Sequence, residues 1–585
     1  MKLIIREYLA SLRERKELDV LLPNLLSQMG LDVFSKPSIG NRQYGVDVAA
    51  YGSIDNQPKK VYLFSVKSGD LGRKDWNSGL LQDLQPSLDE IRETYIPTHL
   101  PAEYKSKPIE ICICFGGNLK EEVRLNVSTY EQKYSTKQLS FSEWGGEKLS
   151  TYIEKFLLRE ELLPDKCHRL LRKSLAMLDE PNVSYNHFRQ IVILLSASET
   201  QKPKKAKEET LTAIRQLYLC LWILYAWCRE ADNLESAFLA SELTLLNAWF
   251  MRKPYLKKKD KDSKAIQRTF NSILLLNKQI NDDYLETKIL PHTDKLYALS
   301  SAVVPSCAVD VNLKLFDILG RLALSGLWTY WYLNQIPDTD ENTDSIQDFR
   351  QKIEQHQVAI KQLITNNPML FAPYKDDQAI DITFAVWFLA LDTKNHGYLY
   401  AWLIRMIHQI QFLFQTNSKY PCNLRNYHEL LEHPVQEIET YREDVTQGSI
   451  LYPVISVFSA LLEFNDVYEG VKNIKSEHLP HCNFQVWYPD ETSEEHYYKN
   501  DALHGATLSH VGIDKEQKIF LYELFKECDE SAHFNELSAV KYNHWPIILL
   551  ACRHYRLPIP PHFFSSLKQH PSNSENHDVG CEDSL

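Results

Sequence analysis

Between Leu18 and Met29 the apolar positions recur at helical spacing, with Leu18, Leu21, Leu22, Leu25, Leu26 and Met29 on one stripe. Gly30 follows, where a glycine just past a helix end is expected. Residues 2–16 predict a charged amphipathic helix that presents Leu3, Ile4, Tyr8 and Leu12. The period then shortens to two. Leu31–Phe34, GVDVAAYG (45–52) and VYLFSVKSG (61–69) read as strands, separated by turn-forming PSIGNRQYG and SIDNQPKK. IEICICFGG (109–117) is a continuous apolar run, as in a central strand buried on both faces. Helices are expected over 80–95, 119–133 and from Gly146, with a short strand at Leu139–Phe141. The order α-β-β-β-α-β-α-β-α predicts a small mixed sheet between helices.

After Leu162-Leu163-Pro164-Asp165 the pattern turns almost wholly helical, in a succession of segments from about 166–179 to 426–444. Aromatic-rich stretches such as LYLCLWILYAWC (217–228) and GLWTYWYLNQ (326–335) predict packing helices, and the apolar runs 217–228 and ILYPVISVFSALLEF (450–464) read as buried core helices too short to span a bilayer. No fixed repeat period emerges. IPDTDENTDS (336–345) reads as an acidic linker, and the chain from 568 reads as a disordered tail. The expected organisation is a sheet domain over 1–163, a helical domain over 164–335, a second helical domain over 346–567 and a tail over 568–585.

Composition adds little to the fold but limits the function. With 44% hydrophobic and 24% charged residues, the 585-residue chain falls in the ordinary globular range. A net charge of −12 argues against a protein that coats nucleic acid. That excess of acid lies downstream, since residues 1–163 hold 22 basic and 23 acidic side chains. Any grip on nucleic acid must come from local patches. Two basic segments, QKPKKAKEE (201–209) and RKPYLKKKDKDSK (252–264), read either as such patches or as solvated loops. Eleven cysteines without a Cys-x-x-Cys pair, behind a charged opening segment, predict reduced thiols and a cytoplasmic setting, with no membrane partner.

The candidate chemistry sits in the second and third strands. Asp47 lies between Val46 and Val48, while Ser65 and Lys67 share one face of the following strand. A carboxylate and an ammonium on adjacent strands suit phosphodiester cleavage. The carboxylate holds a hard divalent cation, and the lysine orients water or steadies charge at phosphorus. The loop after Lys67 carries Arg73, Lys74 and Trp76, a composition suited to phosphate contact and base stacking. Arg42, in the loop before Asp47, is a further candidate DNA contact. His478, His481 and Cys482 lack the paired spacing of a zinc site. No phosphate-binding G-x-x-x-x-G-K-[ST] loop and no G-x-S-x-G elbow occurs.

These motifs, in this order, resemble the PD-(D/E)xK nuclease superfamily, and within it the Mrr-like restriction branch. The matching pieces are the helix LDVLLPNLLSQMG, the strand GVDV and the strand Ser65-Val66-Lys67. The resemblance covers about the first 160 residues. It implies a restriction-endonuclease-like α/β/α mixed sheet for that part; with the helical periodicity downstream, the expected fold class is an α+β multi-domain chain in which this sheet precedes a large all-α region. The resemblance also implies Mg2+ or Mn2+ as cofactor, DNA as substrate, Asp47 and Asp19 as metal ligands, and Asp47, Lys67, Ser65 and Asp19 as catalytic positions. Ser65 stands where the family carries an acid or Gln. Asp70, Asp83, Asp89 and Glu90 are the candidates for a displaced acid. Fusion of a nuclease to a helical body resembles restriction and antiphage effectors, which implies a trigger or partner, such as a separate ATPase, and self-association. The alternative is a scaffold that keeps the fold, has lost the chemistry, and binds DNA or a protein.

Overall fold

A computed structural model describes the chain except residues 1–4, 7–8, 11, 13, 15–17, 36–43, 56, 81, 158–164, 198–202, 305–306, 338–342, 436–439, 500–505 and 568–585. The predicted boundary at 163/164, the middle of the acidic linker and the tail lie outside the described residues. Two compact units are present, Met1–Ile280 and Asn281–Leu585. The sheet domain and the first helices after it belong to the same unit.

Helix α1 (Asp19–Gln28) leads into β1 (Asp32–Ser35), β2 (Val48–Gly52) and β3 (Lys60–Lys67). Gly30, at φ +90°, closes α1 as its position predicted, and the Gly30 and Leu31 amides donate to the Ser27 and Leu26 carbonyls at 3.1 and 3.0 Å. Two short helices, α2 (Arg73–Trp76) and α3 (Leu84–Glu90), precede β4 (Ile109–Phe115). Helix α4 (Glu121–Tyr134), β5 (Leu139–Trp144) and α5 (Gly146–Tyr152) complete the domain. The sheet order is β1-β2-β3-β4-β5, with the first two pairings antiparallel and the last two parallel. This is the mixed sheet the pattern predicted, in the predicted order.

Central position explains composition. Strands β3 and β4 are covered on both faces, so both read as nearly unbroken apolar runs. Val61 and Leu63 join Ile109, Ile111 and Ile113 in one core layer with Leu84, Leu88, Val123 and Val127 from α3 and α4. Tyr62, Phe64 and Val66 point the other way. There Phe64 meets the Trp144 ring edge-on, with centroids 5.0 Å apart. Five helices follow: α6 (Asp165–Ala176), α7 (Pro181–Ser196), α8 (Pro203–Glu230), α9 (Glu235–Arg252) and α10 (Lys261–Tyr284). The stretch Lys205–Glu230 of α8 is long and apolar enough to cross a membrane, but its apolar window is mostly buried inside the protein. It behaves as a core helix.

The second unit contains α11 (Ala308–Leu333), α12 (Thr343–Asn366), α13 (Ala379–Ala390), α14 (His396–Gln415), α15 (Leu451–Leu461), α16 (Asn465–Glu477), α17 (Gln517–Glu530) and α18 (Pro546–Tyr555), with shorter helical turns between them. It is not wholly helical as expected. A three-stranded sheet joins β6 (Gly448–Ser449), β7 (Asn483–Pro489) and β8 (Ala506–His510). Strand β7 buries alternate residues, so NFQVWYP carries a period-two signal that its helical surroundings mask.

Buried ion pairs tie α11, α13 and α18 together. Asp317 receives Arg321 at 2.8 Å and Arg553 at 3.0 Å, and Asp381 receives both Arg556 terminal nitrogens at 2.8 and 3.1 Å. Helix α11 approaches Asp381 so closely that a Cβ on Gly320 would lie 2.0 Å from its Oδ1. Gly320→Ala is therefore expected to displace that carboxylate from Arg556 and cost about 1–3 kcal/mol, read as a lower urea midpoint. Gly397→Ala, on α14 with nothing within 4 Å of the added carbon, should leave the midpoint unchanged or raise it. Equal midpoints for the two variants would show that the Gly320 contact carries no stability.

Candidate active site

The site begins at a turn that only glycine can make. Tyr44 and Gly45 both take positive φ (49° and 80°), and a Cβ on Gly45 would lie 2.2 Å from the Ser87 carbonyl oxygen on α3. The chain then meets β3 at Asp47. Its N–H donates to the Phe64 carbonyl at 2.9 Å, and its Oδ2 accepts the Val66 N–H at 2.7 Å. A side-chain oxygen thus takes the place of a ladder carbonyl where β2 begins.

Lys67, the last residue of β3, is 13% exposed at its side chain, and its Nζ donates to the Gln82 carbonyl at 2.9 Å. The same nitrogen lies 3.6 Å from Glu14 Oε2. Glu14 lies ahead of α1, and Asp19 is the first residue of α1. Pro23 lies inside that helix, which runs through it, so the proline does not remove Asp19 from the site.

Electrostatics bind these residues into one group. Burial pushes the Asp47 carboxyl up to about 6, opposed by the Val66 N–H. The charges of Glu14 and Asp19 raise it further, and the Lys67 ammonium lowers it. Asp47 thus feels the charges of Lys67 and Asp19, two of the residues the pattern singled out, and of Glu14, which it did not single out and which alone lies within ion-pair distance of Lys67 in this group. Ser65 is 1% exposed within β3, paired in register with Ile113. Its burial leaves it no route to a substrate in this arrangement.

The candidates for a displaced acid are engaged elsewhere. Asp70 accepts the Asn118 N–H at 2.8 Å, joining two loops. Asp83 precedes α3 and accepts from Ser78 Oγ at 2.9 Å and the Leu80 N–H at 3.0 Å; burial acts to raise its carboxyl, but these bonds hold it below the usual range. Asp89 accepts from Tyr130 Oη at 2.7 Å and Arg92 at 3.0 Å. Trp76 is corrected as a stacking residue. It is 5% exposed and meets Tyr130 edge-on, so its face belongs to the core. Arg73 and Lys74 are exposed on α2, and Arg42 lies outside the described residues. In the second unit, His481 bonds Thr446 Oγ1 at 2.9 Å and His478 stacks on Phe414.

Asp47, Glu14 and Asp19 carry hard oxygen donors of the kind Mg2+ and Mn2+ take. Donor chemistry fits such an ion. The acids are not drawn tight around one point, for among the described residues no three Asp, Glu, His or Cys side chains are gathered closely enough to hold a metal. No protein-family model matches the chain, nor does any curated protein or solved structure.

The raised Asp47 carboxyl has a signed consequence. Between about pH 4 and pH 6 the folded chain keeps a proton on Asp47 that the unfolded chain has lost, so this group's contribution to stability falls as pH rises through that window. Asp47→Asn retains an oxygen for the Val66 N–H and cannot ionise. It is expected to be more stable than wild type by about 3 kcal/mol near pH 7.5, the difference vanishing below about pH 4. Parallel pH–stability curves for the two proteins would contradict the burial of a charged Asp47.

Proposed function

We propose that the chain is a metal-dependent DNA endonuclease of the PD-(D/E)xK type, its nuclease module being the sheet domain and its helical remainder a sensor or partner-binding body. The supporting observation is that Asp47 and Lys67 lie at the ends of adjacent strands, with Glu14 3.6 Å from Lys67 and the charges of Glu14 and Asp19 acting on Asp47. Asp47 would be the central ligand of Mg2+ or Mn2+, with Glu14 and Asp19 having to draw closer to complete the shell; such an ion would polarise a phosphate and lower the pKa of bound water. Lys67 steadies negative charge at the phosphorus or orients the attacking water from the rim. Its 13% exposure and its fixation by the Gln82 carbonyl leave the ammonium pre-placed, with little reorganisation left for the reaction. Glu14 supplies the acid that Ser65 lacks, from a helix instead of a strand.

The wider role rests on the family resemblance: a cytoplasmic restriction or antiphage effector, licensed by a trigger or a separate ATPase, and acting as a homo-oligomer. A second reading is a scaffold that binds DNA or a protein. Buried Ser65 favours it, as do the interactions already made by Asp47 with Val66 and by Lys67 with Gln82.

Plasmid nicking with Mg2+ or Mn2+ tests the proposal. Asp47→Ala, Lys67→Ala and Glu14→Gln are each expected to slow nicking by roughly 100-fold or more. Equal nicking by all four proteins removes these side chains from the reaction. Calorimetric titration with Mn2+ separates the readings: binding lost in Asp47→Ala supports the nuclease, and absence of binding by wild type supports the scaffold.

A further inference from the structure

We propose that the α9–α10 connection, together with the first turns of α10, is a rigid cationic platform that grips the phosphate backbone of duplex DNA. It stands apart from the Asp47–Lys67 site and does not depend on cleavage. From Arg252 to Arg268 the sequence carries eight basic residues and two acids, in a chain whose net charge is −12.

The connection is folded, not a loose solvated loop. Arg252 points inward at 5% exposure, over the Trp249 and Phe270 rings at 5.0 and 4.5 Å, and donates to Gln267 at 2.6 Å. Lys253–Tyr255 forms a helical turn, and the Lys258 N–H donates to the Tyr255 carbonyl at 3.0 Å. Asp260 starts α10 by accepting from Ser263 Oγ at 2.8 Å and the Ser263 N–H at 3.2 Å.

The two basic segments, about fifty residues apart in sequence, meet here. Lys207 on α8 pairs with Asp260 at 2.9 Å, and Thr210 Oγ1 lies 3.4 Å from the Tyr255 hydroxyl. The two acids are turned to internal duties. Asp260 pairs with Lys207 and caps α10, while the charge of Asp262 acts on the largely buried Arg215 of α8. Lys257, Lys258, Lys259, Lys261, Lys264 and Arg268 are exposed. Asp260 is itself exposed, but both acids are engaged within the fold, and exposed cations outnumber them six to two on this face.

The array is linear. Lys261, Lys264 and Arg268 follow i, i+3, i+7 along α10 and form one stripe about 10 Å long, which Lys257–Lys259 extend. A row of charges suits a linear polyanion better than a small ligand. Tyr255, the aromatic within the connection, is flanked by Lys207 at 5.9 Å and Lys258 at 5.0 Å. A partly buried ring with two lysines beside it is a poor platform for stacking single-stranded bases, which favours duplex backbone.

The test is fluorescence anisotropy of full-length protein with a labelled DNA duplex of about 25 base pairs, in EDTA, across a salt series. A Lys257→Glu/Lys258→Glu/Lys259→Glu variant is expected to bind at least tenfold more weakly and to flatten the slope of log K against log salt by roughly 0.9 per lost phosphate contact. Its thermal midpoint should match wild type; if it does not, Lys258→Gln/Lys259→Gln repeats the measurement. Unchanged affinity and slope, or no binding by wild type, overturns the proposal. So does equal or tighter binding to duplex RNA or to phosphatidylserine vesicles that the same variants abolish. EDTA keeps cleavage out of the readout, so failure here leaves the nuclease reading standing, and loss of nicking in Asp47→Ala leaves this one standing.

Discussion

The bond from the Val66 amide to the Asp47 carboxylate carries the candidate site. It is a backbone donor satisfied by a side chain at the place where the β2–β3 ladder begins. Through it the strand pairing and the placement of the carboxylate become one event. Gly45 brings the chain in beneath α3, the bond fixes the rotamer, and the remaining field at Asp47 comes from Lys67, Glu14 and Asp19. Without that bond Asp47 would be a buried charge with far less to offset its desolvation.

Much of this domain was legible in order and spacing. The leucine stripe of α1, the strand alternation and the unbroken apolar run of β4 follow from period and burial alone, and all appear where the pattern put them. Asp47 and Lys67 stood out as isolated charges in apolar strands, where an ionisable group demands a reason. Glu14 did not stand out. It lies in RERKE, five consecutive charged residues, and only knowledge of which helical face opposes β3 could separate it from its neighbours.

Trp76 misled for a related reason. An aromatic among Arg, Lys, Asp and Asn looks like a surface residue, yet it is the apolar member of a one-turn helix and fills the gap beside Tyr130. The small sheet of the second unit escaped because the alternation of β7 is embedded in helical surroundings, and its partners β6 and β8 are only two and five residues long.

Helix α8 joins two regions of opposite character. Its later turns, through Leu217–Cys228, are packed in the interior, while its first turns carry Lys207 and Thr210 against the basic connection. Further along, Arg215 hydrogen-bonds Gln28 of α1. At 28 residues the helix is about 42 Å long, a stiff rod. The surface cations are therefore mounted on the hydrophobic interior like a fitting on a girder. Through Arg215 the same helix also touches the helix that begins with Asp19.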